Sequence, residues 1–583
     1  MNESHYSIHY VTFKPNHKPI NPKDMSEEKP WLKQYSAGVP ANIDADKYEN
    51  LNSFIDHALK TYKDRKAFSC MGKELTYKQI DAMSRDFGAY LSSRGLKPGD
   101  RIGLMMPNLL QYPIALFGAM RAGLVVVNTN PLYTPREMKH QFTDSGVKAI
   151  VIAENFAHNL EKIIGETQID TVIVTSLGEM LGTIKGAIVN FVVRYIKKLV
   201  PKFNLNNTIS FNEALKGGER FTLPDFEDGP HRVILHQYTG GTTGVAKGAM
   251  LTNRNIVSNM LMIKAILTTR LTDESERVLC PLPLYHIFAF TTNCLAMMSV
   301  GALSVLVTNP RDLDSIVKEF KNYPISLMTG VNTLFNALLH HDAFRKLDFK
   351  KLKICVGGGM AVQQSVAEEW QEVTGCPITE GYGLTETSPV ASVNPIDGRQ
   401  RLGSIGMPAP STDMRVVDEE GNVLGANQAG EIQIKGPQVM KGYYNRPKET
   451  DAVINSEGWF SSGDIGERMD DGFFRIVDRK KDMINVSGFN VYPNEIEDVL
   501  AMHPKVLEAA AIGIPDPKSN EVVKVFIVKK DKSLKKKELI AYCRENLTGY
   551  KVPKAIEWVD ELPKSNVGKI LRRELRDAEE AKS

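Results

Sequence analysis

Arg101-Ile102-Gly103-Leu104-Met105-Met106-Pro107, a helical pattern through Leu110, Ile114, Ala115, Phe117, Gly118 and Ala122, then Leu124-Val125-Val126-Val127: this run decides the fold. A short apolar strand, a helix with apolar residues three and four apart, and a second apolar strand make one β–α–β unit. A helical pattern over 135–145 and the strand Ala149-Ile150-Val151-Ile152 repeat it. Alternation at this pitch predicts a parallel α/β sheet with right-handed crossovers. Ligands of such sheets bind beyond the C-terminal ends of the strands. Upstream, a helical pattern starts near Tyr48 (Leu51, Phe54, Ile55, Ala58, Leu59), whereas residues 1–45, rich in Pro, Lys and Asn, read as an extended arm.

At 583 residues the chain exceeds one ordinary domain, so a large domain with a smaller one is expected. Its 42% hydrophobic and 24% charged residues leave no case for disorder. A net charge of +3, from 72 basic and 69 acidic residues, gives no reason to expect a nucleic-acid partner. Six cysteines without CxxC spacing indicate neither a zinc site nor a disulfide framework, and buried thiols in a reducing compartment are expected. No apolar h-region follows the N-terminus, so no secretory signal is read and the expected location is the cytoplasm.

Downstream of the repeating units lies Tyr238-Thr239-Gly240-Gly241-Thr242-Thr243-Gly244-Val245-Ala246-Lys247-Gly248, led in by Val233-Ile234-Leu235 and followed by a helical pattern from Leu251. Glycines let consecutive backbone N–H groups converge on an anion, threonine hydroxyls add donors and Lys247 adds charge. The natural ligand is a polyphosphate. The spacing matches neither a Walker A loop nor a dinucleotide fingerprint, and a plain Gly/Thr surface loop is the competing reading.

Further clusters follow. Pro281-Leu282-Pro283-Leu284-Tyr285-His286 joins a strand to an apolar helix. Cys355-Val356-Gly357-Gly358-Gly359-Met360 ends a strand where a flat ring or a backbone could approach closely. Gly381-Tyr382-Gly383-Leu384-Thr385-Glu386-Thr387 combines an aromatic face, hydroxyls and a carboxylate. From Asp413 short alternating strands suggest a small β subdomain, and beyond Asp478-Arg479-Lys480-Lys481-Asp482 the chain reads as a compact α+β module. That charged run is the candidate hinge. Pro563-Lys564-Ser565-Asn566-Val567-Gly568-Lys569-Ile570-Leu571-Arg572 reads, alone, as a solvated basic tail.

Residues 183–202 break the rhythm. On a helical wheel Ile188, Val192, Tyr195, Ile196 and Leu199 share one face, with Arg194, Lys197 and Lys198 opposite. The charge-free stretch is too short to span a bilayer. A basic amphipathic helix suggests attachment to an anionic membrane surface, and an apolar face packed on the protein's own body is the equal alternative.

Taken in order, these clusters resemble the adenylate-forming (AMP-binding) superfamily. Pro283-Leu284-Tyr285-His286-Ile287-Phe288, Val486-Ser487-Gly488-Phe489-Asn490-Val491-Tyr492-Pro493-Asn494-Glu495-Ile496-Glu497 and the phrase from Glu561 to Arg576 look like its bacterial long-chain-fatty-acid–CoA ligases, which start β-oxidation. Ser462, where that family usually carries Thr, keeps the hydroxyl.

The resemblance implies an α/β chain in three parts: an extension over 1–45, an adenylation domain over 46–480 with parallel α/β subdomains and a small β subdomain, and a small mobile α+β domain over 481–583. It implies that ATP, Mg²⁺ and CoA are used to turn a long-chain fatty acid into acyl-CoA through acyl-AMP. Tyr238, Thr239, Gly240, Gly241, Thr242, Thr243, Gly244 and Lys247 would hold the β- and γ-phosphates, and Glu386, with Thr385 beside it, the magnesium. Gly357, Gly358, Gly359 and Tyr382 would flank the adenine, Asp464 and Arg479 the ribose. Lys569 would reach the reacting carboxylate and α-phosphate, Lys481 would be the hinge, and Gly488 would face the pantetheine arm. His286 joins Lys569 and Glu386 as a candidate catalytic side chain; with Phe288, Thr329-Gly330-Val331-Asn332 and Gly383 it is also a candidate for the acyl pocket. Loading of a carrier protein, or a non-catalytic acyl-nucleotide-binding scaffold, stand as alternatives. Peripheral attachment to the cytoplasmic face of the inner membrane is expected through 183–202, and a homodimer is left open.

Overall fold

The computed structural model describes residues 29–239, 246–271, 276–487, 489–565, 568 and 570–582. The strand Arg101–Met105 lies between Val125–Asn128 and Val147–Ala153, parallel to both. All three are almost wholly buried, which is why they read as continuous apolar runs rather than alternating ones. The helix Pro135–Ser145 begins where expected because Thr134 and Glu137 form a capping box with Pro135 in the first turn. It ends at Gly146, whose φ of 63° is the left-handed cap. These strands belong to an eight-stranded sheet, and a second, nine-stranded sheet is parallel through its middle from Ile378–Gly383 to Lys66–Cys70. The small β subdomain is a four-stranded antiparallel sheet: Asp413–Val417, Gly430–Lys435, Phe460–Arg468, Phe474–Arg479.

Three local expectations need correction. The glycine-rich stretch does not join a strand to a helix. Val233–Thr239 and Lys247–Thr252 pair antiparallel with Thr239 opposite Lys247, and the helix Asn253–Leu267 starts only after Thr252 caps it. Both flanks of the stretch are therefore fixed by one antiparallel ladder. Residues 29–45 are not a free arm. Trp31 is buried edge-on against Phe474, and the Tyr35 hydroxyl donates to the Pro408 carbonyl at 2.6 Å.

The segment 183–202 docks the opposite way from an ordinary surface helix. In the helix Thr183–Phe191, Gly186 packs so closely on Gly178 that a Cβ would lie 2.4 Å from its carbonyl oxygen. The Asn190 amide accepts from Gly178 N–H at 2.8 Å and donates to Ser176 at 2.9 Å. Arg194, expected on an outer basic face, pairs instead with the buried Glu154 at 2.8 Å. Ile184 (78% exposed), Ile188, Phe191, Tyr195 (66%), Ile196 and Leu199 face outward. The apolar face is thus not packed on the body. Among the described residues no helix is long and apolar enough to cross a membrane.

One hydrophobic core runs from Trp31 to Phe474, and a separate one starts at Ile484 and ends at Val552. The second fills a sheet built on Val506–Asp516 and Asn520–Lys529, with Lys536–Asn546 packed on it. Lys481 lies between the two cores. All six cysteines are free and buried.

Candidate active site

Where the two cores meet, a cavity of about 1250 Å³ opens. That exceeds the ~300–1000 Å³ of common single-ligand sites. Tyr238, Thr239 and Lys247 line it from that antiparallel ladder, Gly358 and Gly359 from the end of the strand Ile354–Gly357, and Tyr382 to Glu386 from the end of Ile378–Gly383. Asp464, Arg479, Lys480 and Lys481 line it from the end of the small β subdomain and the turn after it, and residues 564–565 and 570–574 close it from the small domain. The strand ends place these groups together, as the parallel-sheet rule requires.

Asp464 and Arg479 are cross-strand partners, with Nε and Oδ1 at 3.2 Å. The other Asp464 oxygen accepts the Tyr382 hydroxyl at 2.7 Å. Burial, followed by the Asp464 charge, holds that phenol well above its usual range. Glu386 is only 8% exposed, and burial raises its carboxyl from 4.5 while the Tyr443 hydroxyl, donating at 2.7 Å, pulls the other way. The same Tyr443 ring lies 4.9 Å under the Lys247 ammonium, which pairs with Glu449 at 2.6 Å. Tyr238 donates to Asp144 at 2.6 Å, and Asp144 also meets Arg446 at 3.2 Å. Arg446 also lies 3.7 Å from Glu449, so one polar chain anchors both flanks of the glycine-rich stretch. Burial lowers the Lys481 ammonium to about 8.

His286 and Phe288 line the cavity, and His286 Nδ1 accepts the Phe288 N–H at 3.4 Å. Gly358 lies in close approach to the same ring: a Cβ there would be 3.0 Å from Phe288, so the ring would have to shift to admit it. At Gly383 a Cβ would lie 1.9 Å from the Pro389 carbonyl oxygen. Gly357 is the exception among the three glycines: it points at Val362 and Ile378 in the core and does not line the cavity. Of Thr329 to Asn332 only Val331 reaches the cavity. Thr329 bonds Asn293, Gly330 faces Phe335, and Asn332 accepts from Gln363 N–H. Gly240, Gly241, Thr242, Thr243, Gly244, Gly488 and Lys569 lie outside the described residues. Their neighbours are informative: Gly568 docks on Val331 and Thr333, and Ser565 and Ile570 line the cavity. Ser487 and Phe489 do not line it, and Phe489 is exposed and stacked on Tyr550.

The model of the AMP-binding enzyme family matches residues 55–444, and that of the AMP-binding enzyme C-terminal domain matches 495–569. The chain belongs to the AMP-binding enzyme family. It is 56% identical over 555 residues to a long-chain-fatty-acid–CoA ligase of Yersinia pestis, covering 95% of this chain and 98% of that one. An anthranilate CoA ligase solved in complex with anthranoyl-AMP shares its fold at a TM-score of 0.81 and 24% identity, over 92% of this chain and 99% of that one. ATP-bound MatB from Rhodopseudomonas palustris aligns at 0.79 and 26% identity, over 91% and 99%.

Within this family member, two parts of the site had no signal in the sequence. One is the support of the charged groups: Tyr443 and Glu449 precede the small β subdomain's last strands by many residues, and only the fold brings them to Glu386 and Lys247. The other is an apolar arm of the cavity, between Ile263, Ile266 and Leu267 on the helix Asn253–Leu267 and Val390, Val393 and Ile396. That helix is buried nearly all round, and its isoleucines and leucines fall on both sides, so its sequence cannot tell a cavity-facing side from a core-facing one.

Proposed function

We propose that the protein activates long-chain fatty acids with ATP and CoA. The observation that carries this is a single cavity whose apolar arm leads to a polar half built from Lys247, Glu386, Asp464 and Arg479, under the docked terminal loop. The names of the relatives support CoA as acceptor rather than a carrier protein, and the charged set argues against a non-catalytic scaffold.

In the first step a fatty carboxylate oxygen attacks the α-phosphorus of ATP and the bond to the β-phosphate breaks, giving acyl-AMP and pyrophosphate. In the second, the CoA thiol loses its proton, its sulfur attacks the acyl carbonyl, and AMP leaves. Lys247 holds the pyrophosphate portion and exchanges Glu449 for phosphate oxygens. Asp464 and Arg479 take the ribose, Tyr382 and Gly358–Gly359 the adenine, and Lys569 the reacting carboxylate and α-phosphate. Glu386 suits Mg²⁺, which takes one or two carboxylates and completes its shell with phosphate oxygens and water. Bound there, the ion neutralises phosphate charge. Each methylene entering the apolar arm contributes about 0.8 kcal/mol, roughly fourfold in affinity. Incubation with CoA and ATP should release AMP only when a long-chain acid is present. Release that ignores the acid would overturn the reading.

The outward apolar stripe of 183–202 supports a second element, contact with an anionic lipid surface. Lys197, Lys198 and Lys202 are exposed beside it. Each basic residue near such a surface contributes about 1 kcal/mol, and each large apolar side chain leaving water about 1.5 kcal/mol or more. The protein should sediment with vesicles containing phosphatidylserine, and K197E/K198E should release it. Equal sedimentation of that variant, or self-association through the stripe without lipid binding, would sink the idea.

A further inference from the structure

The geometry points to Asp478 as a positioning residue that latches the small domain in the orientation used for acyl-AMP formation. Asp478 belongs to the large domain: it lies on Phe474–Arg479, opposite Ile465, three residues before Lys481. Its side chain is fully buried. One carboxylate oxygen accepts the backbone N–H of Asn494 at 2.8 Å, and the other accepts the N–H of Arg479 at 2.6 Å.

Asn494 is in the first turn of the small-domain helix Pro493–Ala501, whose N-cap, Tyr492, supplies no side-chain hydrogen bond. A carboxylate from the other domain therefore does the work of its missing cap, where the helix dipole favours negative charge. A second small-domain helix, Arg572–Glu580, also lacks a side-chain cap, and its first residue reaches the same point. Arg572 lies 3.8 Å from Asp478, 3.3 Å from Asp482 and 2.6 Å from Glu497, and donates to the Asn494 side chain. Asp482, Glu497, Asn494 and Arg572 all travel with the small domain. Asp478 alone among these side chains stays behind when the chain turns at Lys481.

Only one orientation makes these contacts, and it is the one seen, with Gly568 on Val331 and Thr333 and the terminal loop lining the cavity. Rotation about Lys481 would pull Asn494 and Arg572 off the carboxylate and return it to water. Burial raises the Asp478 carboxyl to about 6 against the pull of Arg572. The carboxylate is thus held in place against a desolvation cost.

This inference rests on reading Lys481 as a hinge about which the small domain takes one orientation for acyl-AMP formation and another for thioester formation. The test measures the half-reactions separately on the full chain: acid-dependent exchange of pyrophosphate into ATP, and thioester formation from preformed acyl-AMP and CoA. D478A should slow exchange by roughly 10- to 100-fold, the range expected for losing a hydrogen bond to a charged group. Thioester formation should be unchanged or faster. D478N, which keeps an acceptor for Asn494 but not the charge facing Arg572, should fall between. A misfolded or loosened protein would lose both half-reactions alike, and that result, or unchanged exchange, overturns the latch. K569A run alongside separates the two failures. If K569A splits the half-reactions and D478A does not, the latch alone is wrong; if neither does, the two-orientation reading falls first.

Discussion

Replacing Lys569 with alanine is expected to slow acyl-AMP formation by roughly 10²–10³-fold, the scale for one lost transition-state donor in a preorganised site. Conversion of preformed acyl-AMP to acyl-CoA should be largely spared. The asymmetry follows from where the loop is anchored. Gly568 packs on Val331 and Thr333, and Ser565 and Ile570 border the cavity from the small domain. A lysine between them serves only while that domain is docked. Charge placement at the reacting centre is most of what an enzyme can supply to phosphoryl-type transfer, so its loss falls on the first step. Single-turnover assays of each half-reaction would show it. Equal damage to both would remove Lys569 from its assigned role.

The second large effect is expected at Glu386. E386Q keeps the size of the side chain and an oxygen to accept the Tyr443 hydroxyl, yet removes the charge offered to a metal. Acyl-AMP formation should fall by roughly 10²-fold or more, with a raised requirement for magnesium. Wild-type protein should also lose this step on acidification. Burial raises the Glu386 carboxyl above 4.5, so its ionised form disappears as pH falls through a value higher than an ordinary glutamate's. E386Q should lack that limb. A wild-type pH profile shared by E386Q, or an unchanged magnesium requirement, would separate Glu386 from the metal.

Much of this arrangement is legible in the chain and some is not, for physical reasons that differ by element. The β–α–β rhythm from Arg101 to Ala153 is visible because fully buried parallel strands must be apolar throughout, and because Thr134, Glu137 and Gly146 mark a helix's ends. The antiparallel pairing on either side of the glycine-rich stretch is not. Lys247 to Thr252 carries no pattern that distinguishes a short antiparallel strand from the start of the helix that follows. Three consecutive glycines look alike, yet Gly358 and Gly359 border the cavity while Gly357 is spent on packing against Val362 and Ile378. The wheel of 183–202 showed an apolar face but not its direction. That depended on Gly178, Ser176 and Glu154 offering the body a polar landing site for Gly186, Asn190 and Arg194. The apolar arm is invisible in the sequence because a cavity-lining isoleucine and a core isoleucine have the same chemistry.

The measurement that bears most directly on fatty-acid activation is AMP released per acyl-CoA formed, with ATP and CoA fixed and the saturated acid lengthened step by step. Expected is one AMP per acyl-CoA, with kcat/KM climbing by about fourfold per methylene until the arm between Ile266 and Val393 is filled. ADP in place of AMP, or a kcat/KM indifferent to chain length, would contradict it.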